Sequence, residues 1–129
     1  MKTSSAKAKG RRLQQWVRDR LLEAAIWLEP DDVRSTSMGA SGEDVLLSPR
    51  AREVFPISIE CKNVESINIW KSMTQAEANA GDHTPVLFFK RNRSPVYACL
   101  PAEDLVQLYM ARVSVAAAVR NYVHEEEAD

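Results

Sequence analysis

Cysteine and histidine are scarce in this chain, with two of each among 129 residues. Cys61 and Cys99 are too few for a disulfide scaffold. With His83 in a turn and His124 in a charged tail, they also make a poor zinc set. Long apolar runs are missing too. No stretch approaches the ~18 apolar residues that a membrane helix needs. The charged start carries no apolar segment of the secretory kind, so a cytoplasmic protein is expected. An excess of one charge is also absent. Seventeen bases and 18 acids leave a net charge of −1, and that total gives no pointer to a polyanionic partner. Neither an internal repeat nor a low-complexity segment is evident.

What is present is ordinary globular material, 45% hydrophobic and 27% charged, which argues against disorder. The length suits one domain with one core. The charge is segregated. Residues 1–12 hold Lys2, Lys7, Lys9, Arg11 and Arg12 with no acid, and the last five residues hold Glu125, Glu126, Glu127 and Asp129. A basic segment leading into a helix can hold phosphates, and charged ends also simply solubilise a chain. The expected layout is a flexible basic arm over 1–10, a single domain over 11–123 and an acidic tail over 124–129.

Apolar residues at Leu13, Trp16, Val17, Leu21, Ala24, Ala25 and Leu28 recur at helical spacing until Pro30. A short strand is expected within 31–37, a Gly/Ser turn at 38–42, and an apolar run at 45–47. Residues 49–54 read as a helical turn or a hairpin loop, and 54–61 as a strand rich in Ile and Val. The pattern predicts a helix over 67–80 with Trp70, Met73, Ala76 and Ala80 inward, closed by Gly81. Strands at 86–90 and 96–100 flank a turn at 92–95. After Pro101 comes a long helix whose stripe includes Leu105, Leu108, Tyr109, Val115, Val119 and Tyr122. The simplest way to bury these stripes is an α/β fold, a mixed central sheet of about five strands flanked by helices.

One segment carries chemistry: Asp44 after Gly42-Glu43, followed by Ile57-Ser58-Ile59-Glu60-Cys61-Lys62. Side chains alternate along a strand, so Glu60 and Lys62 share one face while Ile57, Ile59 and Cys61 turn to the core. If the two apolar runs pair, Asp44 and Glu60 reach the same point. Two carboxylates there repel unless a cation lies between them, and oxygen ligands suit Mg²⁺. Such an ion acidifies water and polarises phosphate, and a nearby lysine can orient water or offset developing charge. The set is complete for metal-assisted phosphodiester hydrolysis. Without that role, Glu60 and Lys62 are a solvated strand face and Asp44 a turn residue.

Asp44…Glu60-Cys61-Lys62 resembles the D…E-x-K signature of the PD-(D/E)xK nuclease superfamily. Lys9-Gly10-Arg11-Arg12-Leu13-Gln14, the loop Val33-Arg34-Ser35-Thr36-Ser37-Met38-Gly39, and Gln75 in Thr74-Gln75-Ala76-Glu77 resemble archaeal-type and phage Holliday junction resolvases over roughly residues 9–100. The resemblance implies a restriction-endonuclease-like core. It implies metal ligation by Asp44, Glu60 and the Cys61 backbone carbonyl, with Mg²⁺ as cofactor and Mn²⁺ as substitute. The catalytic set it implies is Asp44, Glu60 and Lys62, supported by Gln75 and Gln14. Three departures stand out. Glu43 occupies the position of the family's proline and points away from Asp44, the Asp44–Glu60 gap is long, and Gln14 stands where many relatives have a glutamate. Helix geometry puts Gln14 at the edge of the apolar stripe, and Gln75 with Lys71 away from theirs.

Lys9, Arg11, Arg12, Arg34, Ser37, Lys71, Lys90, Arg91 and Arg93 are candidate DNA contacts. Aromatic interleaving of the single-strand-binder kind is not visible, which favours duplex or branched DNA. A four-way junction is two-fold symmetric, so the resolvase resemblance implies a homodimer with one site per chain. Candidate interface residues are Trp70, Phe88, Phe89 and Tyr97, each also a core candidate, and Tyr109, Val113 and Tyr122. The alternatives are a nicking or flap-cutting endonuclease of the same superfamily, or a DNA-binding or assembly protein that keeps the fold without catalysis. For a phage-encoded enzyme the compartment is the host cytoplasm.

Overall fold

A computed structural model describes residues 2–36 and 42–128 of the chain. Its first element, α1 (Lys2–Ala24), starts well before the apolar period does. Ala6, Lys7, Ala8 and Lys9 are strong helix formers, so the basic segment is helical and continuous with the apolar stretch that follows. A 3-10 turn at Pro30–Asp32 leads to β1 (Val33–Ser35), and β2 (Val45–Leu47) follows. The charged segment after it is α2 (Pro49–Val54). Ser48 caps α2 by accepting from the Ala51 N–H, with Pro49 in the first turn where its missing N–H is harmless. Then come β3 (Ile57–Asn63), α3 (Ile69–Ala80), β4 (Thr84–Lys90), β5 (Tyr97–Cys99) and α4 (Ala102–Ala128).

The five strands form one sheet in the order β1-β2-β3-β4-β5. Only β3 and β4 run parallel, joined through α3, and the other pairs are antiparallel. The mixed five-stranded sheet flanked by helices is the restriction-endonuclease-like architecture expected from the sequence. Strand alternation sorts the two faces. Ile59 and Cys61 of β3 join Leu13 and Val17 of α1, Val33, Val45 and Leu47 in the main core. Ser58 and Glu60 point the other way, where Asn79 of α3 meets both. α1 thus covers β1 to β3 on one face, and α3 covers β3 and β4 on the other.

Two helices depart from the expected packing. In α3 the buried residues are Ser72, Met73, Ala76 and Ala80. At about 100° per residue Trp70 falls about 60° outside that arc, and it is 86% exposed, not inward. No residue of α4 is buried, so its stripe is not part of this chain's core.

Candidate active site

Asp44 is fixed from three sides. Its N–H donates to the Ile59 carbonyl (2.9 Å), and its carbonyl accepts from the N–H (3.0 Å) and Oγ1 (3.1 Å) of Thr36. Its carboxylate Oδ2 accepts from the Cys61 N–H (2.8 Å). The side chain therefore replaces a strand partner exactly where β2 gives out, one residue past Glu60. Gly42, at φ +101°, supplies the left-handed backbone for the turn into Asp44. Open space surrounds its would-be Cβ, so conformation and not crowding calls for glycine.

Glu60 is 3% exposed and lies beside Asp44. Burial above all, with the charge of the neighbouring Asp44 and a side-chain hydrogen bond to it, pushes the Glu60 carboxyl up to about 7 against the opposing effects of Asn79 and Lys62. Asn79 Nδ2 donates to Glu60 Oε1 at 2.8 Å. Burial also pushes the Cys61 thiol up, with help from both acids, so it is inert as a nucleophile. Its thiol packs in the core on the opposite face. The Cys61 carbonyl points to the same side as its N–H, toward Asp44, as strand geometry requires. Two carboxylates and a carbonyl make an all-oxygen set, which fits a hard divalent cation. Among the described residues no cluster of three or more His, Cys, Asp and Glu forms, so a third acidic ligand is lacking there.

Lys62 is half-buried on the Glu60 face, close enough to act on that carboxyl. Gln75 is exposed on α3, one turn before Asn79 and on the same side of the helix. α3 returns against β3, and a turn of about 5.4 Å nearly matches two strand residues at about 6.6 Å. Gln75 therefore stands near the level of Lys62, with Lys71 a turn beyond. Gln14 is fully buried and accepts from Ser35 Oγ at 2.8 Å. Ser35 pairs with Val45, next to Asp44, so Gln14 reaches the sheet as its stripe position required.

Two positioning residues were not legible as such. Asn79 holds Glu60; its only sequence signal is the four-residue step from Gln75. Glu43 is the second. It forms an ion pair with Arg52, whose other guanidinium nitrogen donates to the Ile57 carbonyl at 3.0 Å. That clamp ties the approach to Asp44 to the start of β3.

The basic candidates are spread over α1, β1, α3, β4 and the β4–β5 turn. Arg34 is exposed on β1 and alternates to the face opposite Val33 and Ser35, the face of the acids. Arg11 and Arg12 are exposed on α1, and the Lys9 carbonyl is engaged by Asn63 Nδ2. Arg12 and Lys90 line one hollow together with Trp16 and Asn63. Arg91 and Arg93 are exposed in the β4–β5 turn and Lys71 on α3. Ser37 lies outside the described residues.

An aspartate at the head of the second strand, Glu-Cys-Lys on the third and helices on both faces of a mixed sheet define a PD-(D/E)xK nuclease core. The chain belongs to the family described as phage putative PDDEXK endonuclease, whose model matches residues 6–129. The match includes α4, beyond the span of the resemblance noted in the sequence. No curated protein and no solved structure matches the chain.

Proposed function

We propose that this endonuclease is Mg²⁺-dependent and structure-selective, and that it resolves four-way DNA junctions as a homodimer. One observation carries the metal-dependent reading. Asp44 and Glu60 are driven together in a buried setting, with Glu60 raised to about 7, a strain that a shared divalent cation relieves. Asp44, Glu60 and the Cys61 carbonyl would hold such an ion, which would supply charge neutralisation at the phosphate and acidify water. The chain does the rest. Asp44 is locked to the Cys61 N–H and Glu60 to Asn79, so both oxygens are preorganised. Lys62 offers a positive charge to the negative charge that builds on phosphorus as water adds and the P–O ester bond breaks. Gln75, near the level of Lys62, can hydrogen-bond the same phosphate or the attacking water.

The dimer reading is supported by α4. Its large apolar side chains from Leu105 to Val123 are 42–64% exposed and spread over about two thirds of the helix circumference, with Gln107, Ser114 and Asn121 on the remaining side. So broad an apolar face calls for a covering surface, and among the described residues no helix is long and apolar enough to cross a membrane. A second copy of the chain can cover it and bring the second site that a two-fold junction needs.

The test is a labelled panel of four-way junction, flap, nicked and linear DNA with Mg²⁺. Paired symmetric nicks confined to the junction support resolution, and cuts at one strand of flaps support the nicking or flap-cutting alternative. Asp44→Asn and Glu60→Gln should abolish cutting, and either variant cutting at the parental rate removes the metal-site reading. Gln14, neutral where many relatives carry a glutamate, favours a second reading as a DNA-binding protein without catalysis. Junction binding with no cleavage in Mg²⁺ or Mn²⁺ is its signature.

A further inference from the structure

The sheet carries a second feature beside the acids. β3 and β4 align Lys62 with Phe89, and β4 and β5 align Phe89 with Tyr97. Aligned residues share a face, so Lys62, Phe89 and Tyr97 form one row running from the Glu-Cys-Lys site to the sheet edge. Two strand spacings, about 10 Å in all, separate its ends. The rings of Phe89 and Tyr97 lie 6.0 Å apart, tilted by 32°. Tyr97 is 55% exposed, although an aromatic of this size is usually well buried.

This pair forms one wall of a hollow of about 650 Å³, with Val64 and Ile67 on the loop before α3 and Arg91 and Arg93 on the β4–β5 turn. The volume is that of a small-ligand pocket. Its two rims are tied together, since the Asn92 N–H donates to Glu65 Oε2 at 2.7 Å and the Val64 N–H to the Lys90 carbonyl at 3.1 Å. Glu65, the acid among the lining residues, is thereby turned to backbone. Ser94 Oγ accepts from the Arg91 N–H and donates to the Arg91 carbonyl, which stiffens the turn. Arg93 sits at φ 65°, a left-handed conformation that glycine adopts without strain.

An exposed aromatic wall, apolar sides and a rim of guanidinium groups match the chemistry of an unstacked nucleotide: a base for the rings and a phosphate for the arginines. We propose that this hollow takes an unpaired nucleobase of the substrate strand. The proposal rests on the nuclease reading of the adjacent acids and refines its substrate. The enzyme grips DNA that offers an unstacked nucleotide beside the cleavage point, as branch points and single-stranded stretches do, and discriminates against continuous duplex.

The test is binding without metal, so that cleavage plays no part. Fluorescein-labelled oligo-dT and a blunt duplex of equal length are titrated in EDTA at one fixed salt concentration. Tyr97→Ala should weaken oligo-dT binding about 5- to 100-fold, the range of one lost base stack, and leave duplex binding within about 2-fold. Tyr97→Phe should bind as the parent does, and Tyr97→Leu, equally exposed and foldable, should not. A 2-aminopurine in the strand should be quenched by the parent and by Tyr97→Phe only. Equal loss on both DNAs, no loss on oligo-dT, or Leu performing as well as Phe overturns the proposal. Glu60→Gln serves as the control. Stacking retained there while cutting persists defeats the nuclease-site reading alone, and a failed stacking test with cutting abolished by Glu60→Gln defeats only the hollow.

Discussion

Glu60→Gln should make the metal-free protein more stable, and only at neutral to alkaline pH. A carboxyl whose pKa rises on folding favours the folded state while it is protonated. Here the ordinary value is 4.5 and the folded value about 7. The contribution is complete below the unfolded value and is lost as pH climbs from about 4.5 through about 7. That difference, at about 1.4 kcal/mol per pH unit, amounts to ~3 kcal/mol against the fold by about pH 8, and less than ~1 kcal/mol at about pH 5. Glutamine has nearly the same shape. Its Oε1 can keep the bond from Asn79, and its amide N–H can donate to Asp44. Urea unfolding followed by circular dichroism in EDTA should therefore show a gain of ~2–3 kcal/mol at about pH 8, with a midpoint rise on heating of roughly 10 °C, and near-parity at about pH 5. Mg²⁺ or Mn²⁺ should then raise the stability of the parent and not that of the variant. A gain that is the same at both pH values, or a loss at the higher one, refutes the account of Glu60 as a buried carboxyl pressed against Asp44.

Asn79→Ala removes the hydrogen bond that holds Glu60 down, so the Glu60 titration seen by carboxyl NMR should move above about 7; a downward move contradicts the assignment. Arg52→Ala breaks the clamp to Glu43 and the Ile57 carbonyl, and should cost about 1–3 kcal/mol in urea melts; a neutral result shows that the approach to Asp44 needs no such tie. Leu108→Glu combined with Val115→Glu should convert a two-chain species to a single chain in sedimentation and abolish paired nicking, because both positions are exposed and make no core of their own. A sedimentation pattern identical to the parent's excludes α4 as the interface.

What could be read from the residues follows how locally each feature is encoded. The alternation Ser58-Ile59-Glu60-Cys61 fixes two faces within four residues, so the split between an acid-bearing face and a core face needs no tertiary knowledge. The glycine turn before Asp44 is likewise local. Asn79 was invisible because its tie to Glu60 exists only once α3 folds back over β3, 19 residues away. The Glu43–Arg52 clamp was missed for the same reason, and because 49–54 was open between helix and loop; only as a helix does it present Arg52 to both partners. Aromatic interleaving is not visible in the sequence because Phe89 and Tyr97 are eight residues apart and meet through hairpin register alone. α4 misleads in the opposite direction. Its apolar residues announce burial, yet this chain offers them no core. The near-neutral total charge is a similar case. It averages an acidic pair that repels itself with arginines left exposed at Arg34, Arg91 and Arg93. Under the proposed function a polyanion would meet those cations and, at the site, two carboxylates whose charge must be cancelled before a phosphate can approach. Net charge would then say little about such a partner, and the arrangement would make cation binding and DNA binding mutually dependent.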